Sequence, residues 1–233
     1  MFIRGLNLVV FLTSDAFVSL IISCIEVYRK EAAGILMGDY VFNSDTYYIK
    51  GVIPLQSANR KFSEVEYHLA RTQRMRENLE LCLSDFIGYF HSHPQYFNME
   101  ITSELSQADK ESMEEGDFEI IVSIKDLKRY SPWIFKKKTM ELSGCVGSYT
   151  LNISAYSRDS EEYSIHTIVC PFTDILNLFR KHNIKINTWN SINKNTQRKL
   201  RRLISAYDDA VIKNHNGKSI LHEISKSLTR YKQ

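Results

Sequence analysis

The chain changes texture at Pro171, and this change constrains its architecture more than any other feature. Before it, short runs rich in Val, Ile, Tyr and Phe recur between turn-forming residues. After it, Leu, Lys, Arg, Asn and Ser dominate and no strand-like run remains. A sheet can be built only from residues 1–170, and residues 171–233 are left to helices. Charge divides at the same point: residues 171–233 hold 13 Lys+Arg against 4 Asp+Glu, the preceding part 17 against 23, so an acidic body carries a basic extension. With 43% apolar residues the composition is that of a globular protein, not of a disordered chain. A chain of this length buries roughly 70% of its unfolded surface, so it can fold without a metal, and any metal site would serve chemistry.

Cys24, Cys82, Cys145 and Cys170 are scattered with no CxxC pair, against both a zinc knuckle and a secreted disulfide framework. Arg4 followed by the apolar run Leu8 to Leu12 imitates the start of a signal peptide, but Asp15 interrupts it and no small-residue cleavage site follows. No stretch reaches the ~18 apolar residues of a membrane helix. The expectation is a soluble, cytoplasmic protein with no membrane contact.

Within the body, Asn7 to Leu12 reads as a strand, with Ser14 as N-cap of a helix whose apolar positions run from Phe17 to Tyr28 and whose end carries Arg29 and Lys30. Gly34 to Gly38 and Thr46 to Leu55 read as strands joined by a turn at Asn43-Ser44-Asp45. Residues 64–83, free of Gly and Pro, predict a second helix. Phe86 to Phe90 and Phe118 to Ile124 are further apolar runs, and Ser148 to Tyr156 and Tyr163 to Val169 are strands about a polar turn. The body is therefore α+β, with a mostly antiparallel sheet. In the extension, 172–183, 194–213 and 218–231 are candidate helices, broken at Asn214 to Gly217.

The chemistry centres on Phe90-His91-Ser92-His93-Pro94. On a strand, His91 and His93 share a face, and Pro94 halts the ladder beyond them. Two such imidazoles can ligate zinc, and a hydrolytic zinc takes three protein ligands while keeping one position for water. Asp109, in Ser106-Gln-Ala-Asp109, can be the third; the same Ser-x-x-Asp also reads as a helix capping box, and both readings can hold together. Glu31, taken alone, is better read as a solvated charge at a helix end. Tyr67-His68 and His166 read as ordinary strand or surface groups, and His182, His215 and His222 share no motif.

Together, Glu31-Ala-Ala-Gly-Ile-Leu-Met-Gly38, Gly88-Tyr-Phe-His-Ser-His-Pro94, Ser106-Gln-Ala-Asp109 and Ile120-Ile-Val-Ser123 resemble the JAMM, or MPN-type, zinc metallopeptidases over residues 7–170. One spacing departs from that family: His93 to Asp109 is sixteen residues, about five more than is common there, which puts Glu104 at the common position. Asp109 is preferred because it keeps Ser106 and the short interval to the Ile120 strand. The resemblance implies an MPN/JAMM-like (cytidine-deaminase-like) sheet flanked by helices over 1–170, with a helical extension over 171–233. It implies Zn2+ on His91, His93 and Asp109, Glu31 as general base and Ser106 as donor to the oxyanion. The implied activity is hydrolysis of peptide or isopeptide bonds, releasing ubiquitin or a ubiquitin-like modifier from lysines. Tyr96, Phe97, Met99 and Ile101, with Tyr130 to Lys138, are candidates to line a substrate groove or simply to pack as loops.

Two other readings compete. A non-catalytic MPN scaffold would hold partners in a complex, but such relatives typically lack the ligand set. A nucleic-acid role rests only on the basic extension; Arg198-Lys199-Leu200-Arg201-Arg202 is better read as a solvated helix face, since few aromatics are interleaved, and the extension as a site for a protein partner.

Overall fold

The computed structural model describes residues 8–55, 59–60, 65–66, 73–75, 77–79, 85–95, 100–183, 192–213 and 217–231. It divides into two compact units, Met1–Val169 and Cys170–Gln233. The helix expected over 64–83 falls largely outside the described residues, although 73–75 and 77–79 within it are helical. Tyr67, His68, Cys82, Tyr96, Phe97, Met99 and His215 also lie outside them.

The first unit is organised by a nine-stranded sheet. It begins with β1 (Val9–Leu12), a four-residue strand of Val, Val, Phe and Leu with three of the four buried, as a strand flanked on both edges requires. Helix α1 (Ser14–Glu26) follows, capped by Thr13, whose hydroxyl accepts from Ala16 N; the cap is one residue earlier than the sequence suggests. The helix ends before Arg29, which adopts a left-handed φ of 80° and leads back to the sheet. Strands β2 (Ala33–Val41) and β3 (Thr46–Pro54) form the expected hairpin, with Asp45 in the left-handed conformation at the turn. A two-strand pair, β4 (Asn59–Arg60) and β5 (Val65–Glu66), precedes β6 (Asp85–Pro94). Helix α2 (Gln107–Ser112), β7 (Phe118–Asp126), β8 (Ile134–Lys136), β9 (Glu141–Val146), β10 (Tyr149–Asp159) and β11 (Glu162–Val169) complete the unit.

The pairings are mostly antiparallel, as expected, but the MPN/JAMM-like sheet flanked by helices is not what they build. Seven strands close into a mixed barrel in the order β11-β1-β3-β2-β6-β7-β10, with β10 pairing back onto β11; this is not an MPN/JAMM (cytidine-deaminase-like) sheet. Two features close it. β1 is inserted between β11 and β3 and runs parallel to both, so the first strand of the unit is sealed by its last. β10, eleven residues long, pairs with β7 along one edge and divides its other edge, giving Tyr149 to Ile153 to β9 and Ala155 to Asp159 to β11. A third parallel pairing joins β6 to β7. None of these three parallel contacts is a hairpin, so no local turn signal announces them.

Strand β6 positions the site. Its Phe90 and Ser92 face α1, where the Cys24 thiol is hydrogen-bonded to Ser92, and its other face carries Tyr89, His91 and His93. Gly88 is required on this strand: a Cβ there would stand 2.0 Å from the Phe118 carbonyl oxygen, so glycine lets β6 approach β7. Trp133 packs edge-on against Phe17 and over Gly144, so it belongs to the core, whereas Ile134 beside it is exposed.

The second unit contains α3 (Phe172–Lys181), α4 (Lys194–Ile212) and α5 (Lys218–Tyr231), close to the three helices expected. They bury Ile175, Leu200, Tyr207, Ile224 and Leu228 together, and the Tyr207 hydroxyl donates to Asp174. No helix among the described residues is long and apolar enough to cross a membrane.

Candidate metal centre

His91 and His93 turn their Nε2 atoms toward each other at 2.9 Å. Asp109 arrives from α2, its Oδ1 3.2 Å from His91 Nε2 and its Oδ2 3.4 Å from His93 Nε2. Four tetrahedral ligands at zinc–nitrogen distances of 2.0–2.1 Å are separated by about 3.4 Å, so the donor atoms of these three side chains already stand near that spacing. The group His91, His93 and Asp109 could hold a metal ion. Glu104, the alternative third ligand, is exposed and not part of it.

The tautomers are set by what lies behind the rings. His91 Nδ1 donates to Glu119 Oε1 at 2.6 Å, and His93 Nδ1 donates to the Thr102 carbonyl at 3.1 Å. Carbonyl and carboxylate oxygens are acceptors, so each neutral ring carries its hydrogen on Nδ1 and offers the Nε2 lone pair to the centre, as metal-ligating histidines do. The field there favours a cation. Burial opposes a proton on His91, but the Glu119 charge, the Asp109 hydrogen bond and the Asp109 charge overcome it and raise its pKa well above the ordinary imidazole range. Burial pushes the Asp109 carboxyl upward, and the hydrogen bonds from His91 and His93 reverse that, holding it below the usual carboxylate range.

Asp109 is fixed by its helix. Ser106 is the N-cap of α2: its hydroxyl accepts from Asp109 N at 3.1 Å, and its own N–H donates to Asp109 Oδ2 at 2.6 Å. The carboxylate that closes the capping box is therefore also the one that faces the two histidines, so the capping reading of Ser-x-x-Asp holds and leaves Asp109 placed where it could be a ligand. The Ser106 hydroxyl also lies within reach of the Asp109 carboxylate and helps hold its pKa down. Upstream, Ser103 is buried, with its hydroxyl on Glu141 and against Ser154, and its carbonyl accepts from the Tyr156 hydroxyl. Downstream, Tyr163 and Arg158 donate to the carbonyls of Lys110 and Met113. Met113 packs with Ile121 and Tyr156, so the strap over the sheet is held at both ends.

Glu31 is 9% exposed and sits just before β2. Ala33 pairs with His91, and the neighbouring Ala32 exchanges two bonds with Ser92: Ala32 N to the Ser92 hydroxyl and Ser92 N to the Ala32 carbonyl, each 2.8 Å. The middle residue of His-Ser-His thus ties the acidic segment to the strand between the two histidines. Ser92, Thr102 and Glu119 escape the sequence reading. Glu119 alone had a visible signal, as the one acidic residue in the apolar run Phe118 to Ile124, buried to 8% exposure. His166 is held by Ser157 at 2.8 Å and stacks on Phe118, an ordinary buried histidine. Burial pushes the Cys24 thiol up to about 12 and raises Cys170 further, so neither is a nucleophile at neutral pH.

No protein-family profile and no curated protein sequence matches this chain. Among solved structures, the solution structure of protein DSY2949 from Desulfitobacterium hafniense matches with a TM-score of 0.50 at 15% identity, over 69% of this chain and 92% of that one. At that identity the likeness is one of fold alone.

Proposed function

We propose that this protein is a zinc-dependent metallopeptidase of JAMM-like chemistry that hydrolyses peptide or isopeptide bonds, with the C-terminal tail of ubiquitin or a ubiquitin-like modifier as its substrate. The observation that carries the reading is the convergence of two Nε2 lone pairs and one carboxylate, both rings oriented from behind, with the buried Glu31 two residues ahead of the strand residue that pairs with His91. His91, His93 and Asp109 would hold the ion. Zinc, when bound there, supplies Lewis acidity that activates water at neutral pH and polarises a carbonyl. Glu31 takes the proton of the attacking water and passes it to the leaving amine. Ser106 turns its hydroxyl hydrogen to the oxygen on which charge develops. The setting is the cytoplasm, and the basic helical unit is read as the site of a protein partner.

Metal analysis of the purified chain tests the ligand set first. About one zinc per chain is expected, lost from the His91→Ala, His93→Ala chain and from Asp109→Ala but kept by Glu104→Ala. Glu31→Gln should keep zinc and lose at least ~10²-fold in peptide hydrolysis, the low end for a positioned base. Protein that takes up no zinc when it is supplied would leave the scaffold reading in its place.

A further inference from the structure

The sheet face that bears the metal donors continues beyond His93. On β7 it carries Glu119, Ile121, Ser123 and Lys125, and the parallel register sets His91 beside Ile121 and His93 beside Ser123. Lys125 is therefore one step further along the same face, with Thr150 of β10 opposite it. Both line a cleft of about 490 Å³, together with Gln95, Thr102, Lys128 and Arg129. Thr102 belongs to both places, since its carbonyl holds His93 and its residue walls the cleft.

The cleft has an excess of positive charge. Lys125, Lys128 and Arg129 meet two carboxylates there, Glu100 and Asp126, so the cations outnumber the anions by one. Lys125 is half-buried, where a partner charge is less screened than on open surface. We infer that this cleft is a subsite for an acidic side chain of the substrate. The offset follows from the register: Lys125 lies two residues beyond the position level with His93, and an extended peptide advances about 3.3 Å per residue, as a strand does. The acidic residue then falls about two positions from the bond that is cut. That the ligand is a peptide rests on the hydrolase reading.

The test uses the full zinc-loaded chain and short fluorescent peptides in which a single Glu, or a single Gln, is walked along a fixed Ala- and Gly-based sequence containing one lysine. Affinity is read by anisotropy on the Glu31→Gln chain, so that cleavage does not consume the probe, and cut sites are read by mass spectrometry on the unaltered chain. The Glu peptide should bind about fivefold more tightly than its Gln twin at the best position. In the chain carrying Lys125→Gln and Lys128→Gln that ratio should fall to near one with zinc content unchanged. Equal affinities at every position, absence of binding, or a ratio that survives the double substitution overturns the inference. Cleavage without a Glu preference overturns the subsite and leaves the hydrolase reading standing. A Glu preference with no peptide cleaved overturns the hydrolase reading and keeps the cleft as an acid-binding site.

Discussion

At the scale of single residues, Asp109 divides one carboxylate between two tasks. Oδ2 caps α2 through Ser106 N, and Oδ1 faces His91. Glu119 has a single task, to orient and charge the His91 ring from behind. Glu119→Gln keeps an acceptor oxygen but removes the charge, and zinc affinity, measured by competition with a chelator, should fall about 10- to 100-fold while the fold survives. The pH response follows from the two shifted groups. His91 is raised on folding, so its contribution to stability is whole below about pH 6.5 and is lost as the pH climbs through its raised value. Asp109 is held low, so its contribution is present above about pH 3.9 and is lost only as acid protonates it. A chelator-treated chain should accordingly weaken on the alkaline side, whereas zinc should stabilise it more there, because binding displaces the His91 proton. Thermal melts with and without zinc across neutral pH read this directly, and a flat metal-free series would contradict the part given to His91.

Among the elements, β6 links the histidines to both neighbouring strands. Its edge toward β7 brings Glu119 behind one ring, and its edge toward β2 pairs His91 with Ala33, two residues after Glu31. Ser92 makes the second connection through Ala32. Ser92→Ala removes a buried bond at a cost of about 1–3 kcal/mol, and because it loosens the Glu31 segment rather than the ligands, kcat should fall while zinc affinity holds. Steady-state kinetics beside a zinc titration separates the two. Much at this scale was legible in the sequence. The β2–β3 hairpin, α1, β7, β10, β11 and the three helices of the second unit follow from short-range periodicity and turn residues, which are local quantities. His91, His93 and Asp109 were legible because two of them alternate on one strand and the third sits in a capping box. Thr102 was not, because it acts through its carbonyl, and a backbone group carries no mark of residue type. Nor were β8 and β9, where lysines and Gly144 mask any strand pattern.

Across the whole first unit, the barrel itself was the least legible feature. Val10 and Ile168 become partners although nearly the full unit separates them, and nothing in either short run specifies that contact. Closure also determines where the sheet can still recruit another chain. The barrel satisfies its own strands, and the nine-stranded order ends on β8, so among the described residues that strand has no neighbour on its outer edge. It is three residues long, and Lys136, Lys137 and Lys138 crowd its end, with like charges that repel a second copy arriving edge to edge. Replacing the three lysines with serine should leave the melting temperature nearly unchanged yet raise light scattering at high concentration. Resistance to aggregation in this protein would then reside in a strand that contributes little to its core.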